Sequence, residues 1–211
     1  MTGELIDLYS DYLICSSRQT TATGLSELTG GMISHDKITR LLSGDQMDGK
    51  TLWLKVKKLI RRYENDDACI IFDDTIIEKP YMDENGIVCW HWDSKSGRSV
   101  KGIQLLTAFY STVSDGIAVR VPVGYEIIQK TETYIDPKDN KEKRKSAKTK
   151  NELMQEMINV LIQNRVKFRY ILADSWFSSN ENMKFINKKK TIFIRRSRYG
   201  LIPRSSAAAV N

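Results

Sequence analysis

No run of about 18 or more apolar residues occurs in the 211-residue chain, and its first residues lack the basic-then-apolar layout of a secretory leader. A membrane partner is therefore not expected, and the expected location is the cytoplasm. Cysteine is scarce: Cys15, Cys69 and Cys89 are odd in number, far apart, and accompanied by neither a CxxC pair nor a histidine cluster. That pattern supports neither a disulfide framework nor a zinc site, and reads as reduced thiols used mainly in packing. Acid is missing from one region as well, because no Asp or Glu follows Glu181.

What is present is 41% apolar and 28% charged, ordinary for a soluble globular protein, with a net charge of +7 and a pI near 9.2 that favour a polyanionic partner. Length allows one sizeable core plus a small accessory domain. Residues 138–150, KDNKEKRKSAKTK, carry seven Lys or Arg against two acids. Lys188, Lys189 and Lys190 with Arg195, Arg196 and Arg198 form a second basic cluster. Both flank the strand expected to end at Asp174, so phosphates could be neutralised beside it.

Two stretches share one layout. In Ile70-Ile71-Phe72-Asp73-Asp74-Thr75 an apolar run, read as a buried strand, stops at adjacent carboxylates, and in Tyr170-Ile171-Leu172-Ala173-Asp174 another stops at one. Open α/β sheets place their chemistry beyond the carboxyl ends of their strands, so acids on neighbouring strands can converge and hold a divalent metal. The plainer reading is that each Asp caps the turn that follows it. Asp73 and Asp74 point to opposite faces of an extended strand, so only one can reach a shared site.

In chain order, residues 4–15 carry a helical apolar stripe, and residues 20–28 and 34–42 read as short helices across Gly30-Gly31, with Ser34 an N-cap. Such a pair resembles a helix-turn-helix, in which Lys37 and Arg40 are candidate DNA contacts, although any small helical bundle looks alike. Residues 51–63 read as a basic amphipathic helix. Residues 81–102 read as a long polar segment with a turn at Asn85-Gly86; His91, between Trp90 and Trp92, reads as a packing residue. Residues 103–112 and 117–129 read as a hairpin across Ser114-Asp115-Gly116. A charged loop and a helix over residues 147–164 then lead to the Asp174 strand, followed by a helix start with Ser178 and Glu181 at capping-box spacing, and a last β-rich run over 191–195.

Strand with an acid, hairpin, helix, strand with an acid, helix, strand is the layout of an RNase H-like fold. Ile71-Phe72-Asp73-Asp74-Thr75 with Glu78-Lys79-Pro80, the Trp90-His91-Trp92-Asp93 segment leading to Val100-Lys101-Gly102, and Ala173-Asp174-Ser175-Trp176-Phe177 resemble the catalytic domain of bacterial insertion-sequence DDE transposases. The resemblance implies an α/β fold with an RNase H-like mixed sheet flanked by helices, preceded by a small helical, helix-turn-helix-like segment. The implied division is 1–50 helical, 51–198 catalytic core and 199–211 low-complexity tail.

It further implies transposon-end cleavage and strand transfer with Mg²⁺ or Mn²⁺ held by Asp74, where the family has Asp before Thr, and by Asp174. The implied partner is double-stranded DNA, with a homodimer on DNA as one arrangement and with Lys141, Lys143, Arg144, Lys145, Arg195, Arg196 and Arg198 beside the backbone. The family's third acid, in a Tyr-x-x-Arg-x-x-x-Glu pattern, has no match here. The expectation is thus a truncated transposase that cuts little or not at all, with a non-catalytic DNA-binding fragment or regulator of transposition as the alternative.

Overall fold

A computed structural model describes residues 2–17, 20–44, 48–94, 96–189, 191–197 and 200–203, with side chains left out at residue 2 and from 195 onward. Contacts divide the chain into Met1–Met47 and Asp48–Asn211.

In the first unit, α1 (Thr2–Cys15), α2 (Ala22–Leu28) and α3 (His35–Leu42) bury Leu5, Leu25 and Ile38. Short helices need their free N–H groups satisfied, and Thr21 and Ser34 do this by accepting from Gly24 N and Lys37 N. Gly30 and Gly31 both have positive φ, which stops α2 where a side chain would be strained.

The second unit opens with α4 (Gly49–Tyr63), capped by Asp48. Among the described residues it contains a seven-stranded sheet of β1 (Cys69–Glu78), β2 (Cys89–Asp93), β3 (Arg98–Ser114), β4 (Ile117–Ile127), β7 (Tyr170–Asp174), β8 (Ile192–Ser197) and β9 (Gly200–Pro203). A separate hairpin joins β5 (Glu132–Ile135) to β6 (Glu142–Lys145). Helices α5 (Lys150–Gln163) and α6 (Asn180–Lys188) lie on either side of β7 in sequence.

The sheet is mixed. β1 is antiparallel to β3 and parallel to β7, which is parallel to β8; β9 is antiparallel to β8. Gly102 pairs with both Glu78 and Cys89, which puts β2 on the edge of β3 opposite β1, end to end with β4. Asp115 and Gly116 both take positive φ, the tight turn that matches strand twist. Pro122, which cannot donate to a ladder, sits at an irregularity in β4, which pairs with β3 alone.

Alternation sorts the sheet's two faces. Ile70 and Phe72 of β1, Leu106, Ala108 and Tyr110 of β3, and Ile171 and Ala173 of β7 join one core with Trp53 and Ile60 of α4, Met154 and Ile158 of α5, and Ile186 of α6. Each such apolar side chain contributes about 1.5–3 kcal/mol by leaving water. The result is the mixed α/β sheet flanked by helices that the RNase H-like resemblance implied.

Four details differ from the sequence reading. β2 lies inside the segment expected to be polar loop, and β5 and β6 with their turn replace the charged loop. The cap of α6 is Ser179, accepting from Asn182 N, one residue later than Ser178, and Glu181 is not its capping-box partner. Gly200–Pro203, at the start of the expected tail, pair with β8; residues 204–211 lie outside the described residues.

Candidate active site

Asp74 continues the buried row of Ile70 and Phe72 on β1, which makes it half-buried, whereas Asp73 is exposed on the other face. β3 sets Leu106 opposite Asp74 and Gln104 opposite Ile76, so Gln104 is the diagonal neighbour on the same face. Its Nε2 donates to Asp74 Oδ2 at 2.8 Å. The same oxygen accepts from Lys150 Nζ at 2.7 Å. Lys150 is the first residue of α5, fixed there by a capping box in which Thr149 and Glu152 satisfy each other's backbone N–H.

Asp174 ends β7. Its Oδ1 accepts from Trp176 N at 3.0 Å and from Ser175 Oγ at 2.9 Å, so it caps the short 3₁₀ turn of Ser175–Phe177. The turn-capping role of an Asp after a strand is therefore real here. It also leaves Oδ2 as the oxygen the cap does not use. The Trp176 ring lies 4.2 Å from Lys150 Nζ, so one lysine links the ring beside Asp174 to the carboxylate of Asp74.

The ladder between β1 and β7 runs only from Cys69↔Tyr170 to Ile71↔Leu172. β7 stays paired with β8 through Asp174↔Arg196. Beyond Ile71 and Leu172, β1 and β7 therefore part; Asp174 stands at the carboxyl end of β7, and Asp74 lies within β1, three residues past its last pair with β7, on the side of the sheet where open α/β sheets bind ligands.

Two supports lie behind these groups. Asn182 is fully buried on α6; its Nδ2 donates to Asn151 Oδ1 at 2.8 Å and Phe177 O at 2.9 Å, and its Oδ1 accepts from Gln155 Nε2 at 2.7 Å. This ties α5, α6 and the turn after Asp174 together. His91 is packed on β2 beneath Gln104, 4% exposed, and its Nε2 has no hydrogen-bond partner among the described residues. Burial first, then the nearby Lys130 ammonium, push it down to about 4, against smaller pulls upward from the Gly102 backbone and the Gln104 side chain.

The expected DNA contacts fall in different settings. Lys37 and Arg40 are exposed on α3, three residues apart and so on one face. Arg144 and Lys141 are exposed on the β5–β6 hairpin, where Lys143 pairs with Asp136 at 2.5 Å and Asp139 at 3.1 Å, and Lys145 with Glu132 at 3.5 Å. The backbones of Arg195 and Arg196 lie on β8 beside Ala173 and Asp174, and Arg198 lies outside the described residues. The sequence places Lys150 only within the basic stretch 138–150 and Trp176 only within the Asp174 motif, and gives no signal for Gln104. The available signal for Lys150 was Thr149-x-x-Glu152, a capping box that makes Lys150 the first helical residue.

Among the described residues, no three His, Cys, Asp or Glu side chains gather as a metal site. The donors present still suit one kind of ion. Asp74 and Asp174 offer hard carboxylate oxygens, the type that Mg²⁺ and Mn²⁺ prefer, and Asp74 already holds a cation in the Lys150 ammonium.

Residues 4–198 match the model of the DDE superfamily endonucleases. The chain belongs to that family. As a DDE superfamily endonuclease it falls in a group that typically uses divalent metals. No curated protein matches its sequence. Among solved structures it is similar to the Mos1 transposase paired-end complex with left transposon end, at 12% identity and TM-score 0.31, over 94% of this chain and 59% of that one. It is also similar to the Mos1 strand transfer complex, at 10% identity and TM-score 0.29, over 92% and 57%. This DDE endonuclease chain thus spans less than two-thirds of either. No helix of its described residues is long and apolar enough to cross a membrane.

Proposed function

We propose that this chain is the core of a bacterial insertion-sequence transposase, acting on double-stranded transposon ends in the cytoplasm, with Asp74 and Asp174 holding Mg²⁺ or Mn²⁺. The observation that carries this is that Asp174 ends β7 and Asp74 lies three residues past the last pair between β1 and β7, where these adjacent parallel strands part, in a chain of the DDE endonuclease family. When bound, such a metal stabilises charge on the phosphodiester oxygens and lowers the pKa of an attacking water or hydroxyl.

The chain's own groups do the positioning. Gln104 fixes one oxygen of Asp74, and the cap bonds to Trp176 N and Ser175 Oγ fix one oxygen of Asp174, so each carboxylate keeps a second oxygen for a ligand. Both are preorganised on packed strands, which limits the reorganisation a charged substrate would otherwise demand. Lys37 and Arg40 on α3, and Arg144 with Lys141 on the hairpin, would take DNA phosphates without reading sequence.

With two carboxylates, one of them engaged by Lys150, strand cleavage by this chain alone is expected to be weak. That same observation favours a second reading, a polypeptide that occupies transposon ends without cutting. Incubating labelled duplex with the chain and Mn²⁺ tests both: slow nicking that vanishes in Asp74→Ala supports the nuclease, and a footprint without nicking supports the binding role. Binding that does not change between low and physiological salt would contradict both readings.

A further inference from the structure

Lys150 has the least expected position in the site. A cation inside a proposed cation site is either a fixed structural partner or a placeholder, and its surroundings distinguish the two. We propose that Lys150 is a built-in counter-cation of Asp74 that an entering divalent metal displaces onto Trp176, where its ammonium meets a DNA phosphate. This rests on the metal reading of Asp74 given above.

Three observations carry it. First, Asp74 Oδ2 already accepts two donors, Gln104 at 2.8 Å and Lys150 at 2.7 Å. A divalent cation held by the same carboxylate would repel the ammonium, which favours withdrawal of Lys150. Second, the Lys150 backbone is held by the Thr149–Glu152 capping box, while its ammonium sits at the end of a four-carbon stem whose torsions are independent of that cap. The ammonium can therefore move without moving α5. Third, a second resting place is already in contact: Nζ lies 4.2 Å from the Trp176 ring centroid, and that ring is half-exposed. A lysine leaving Asp74 thus stays within the site, with its three donors available to a phosphate.

Neighbouring lysines do not share this geometry. Lys148, two residues earlier, is bonded to Glu156 at 2.7 Å on the exposed side of α5. It carries the same charge close by in sequence and serves as the control for a general change in electrostatics.

The test is calorimetric titration of the full chain with Mn²⁺, comparing wild type with Lys150→Met, Lys148→Met and Asp74→Asn, with Lys150→Gln in reserve should Lys150→Met fold poorly. Lys150→Met is expected to bind Mn²⁺ roughly three- to tenfold more tightly, as expected from removing a partly screened competing charge, and Lys148→Met within about twofold of wild type. As a second readout, Mg²⁺ should change tryptophan emission in wild type but not in Lys150→Met or Trp176→Phe. Equal or weaker Mn²⁺ binding by Lys150→Met, with binding still lost in Asp74→Asn, would overturn the placeholder role while leaving the metal site standing. No Mn²⁺ binding by any form would overturn the site itself and this inference with it.

Discussion

The Asp74–Lys150 pair and the Asp136–Lys143–Asp139 cluster use the same chemical groups at similar distances, 2.7 Å against 2.5 and 3.1 Å, to opposite effect. In the β5–β6 hairpin the carboxylates lower the effective charge of a segment whose sequence looks strongly basic. Hydrogen bonding from Lys143 holds the Asp136 carboxyl below its ordinary range, and Asp136 and then Asp139 hold the Lys143 ammonium above its own. Where β1 and β7 part, Lys150 is only 22% and Asp74 26% exposed, and the Lys150 ammonium is bonded to one carboxylate rather than two. Charge density in a sequence is therefore a poor guide to free charge, and a single half-buried lysine can matter more than a run of exposed ones.

The comparison can be broken first at its supports. Asn182→Ala would leave the buried Phe177 carbonyl and the half-buried Gln155 and Asn151 side chains without this partner, so urea denaturation should show a loss of about 2–4 kcal/mol. A loss below about 0.5 kcal/mol would mean the site does not depend on that network.

Acid should weaken the same region. His91 is held at about 4 against an ordinary 6.5, so the unfolded chain binds more protons between those values. Stability is then full above about 6.5, falls as pH drops towards 4, and levels off below, with a loss of about 3 kcal/mol. Thermal melts from pH 7.5 to 4 should show the decline, and His91→Gln should remove most of it.

A smaller effect separates the basic groups. Arg40→Ala should weaken duplex binding several-fold and lower the salt slope by about one, whereas Lys143→Ala, already neutralised by two acids, should leave both unchanged. Fluorescence anisotropy at several salt concentrations reads this directly. Equal losses would show that the hairpin releases its lysine to DNA. The smallest effect is on stability, where Asp136→Asn should leave the melting temperature within error, as expected of an exposed pair.

Much of this arrangement was legible in the residues. The apolar run ending at Asp73-Asp74, the Ser114-Asp115-Gly116 turn and the apolar run ending at Asp174 mark the main strands along the chain, because burial and turn chemistry are local signals. β2 was hidden because Trp90 and Trp92 face solvent while His91 is buried, which inverts the usual polarity of a strand. β6 was hidden because its four residues are all charged, and β5 because its four residues, Glu132 to Ile135, are exposed throughout and too short to show a period. Gln104 and Lys150 could not be tied to Asp74 from spacing alone. One contact depends on the diagonal of an antiparallel ladder, and the other joins residues 76 apart through packing of α5 on the sheet.

The central claim is that Asp74 and Asp174 jointly hold a divalent cation. Electron paramagnetic resonance of added Mn²⁺ tests it most directly, because free and bound ion are counted separately. Wild type should take up Mn²⁺, and either Asp74→Asn or Asp174→Asn should lose most of that uptake while remaining folded. Uptake that persists unchanged in both variants would contradict the account.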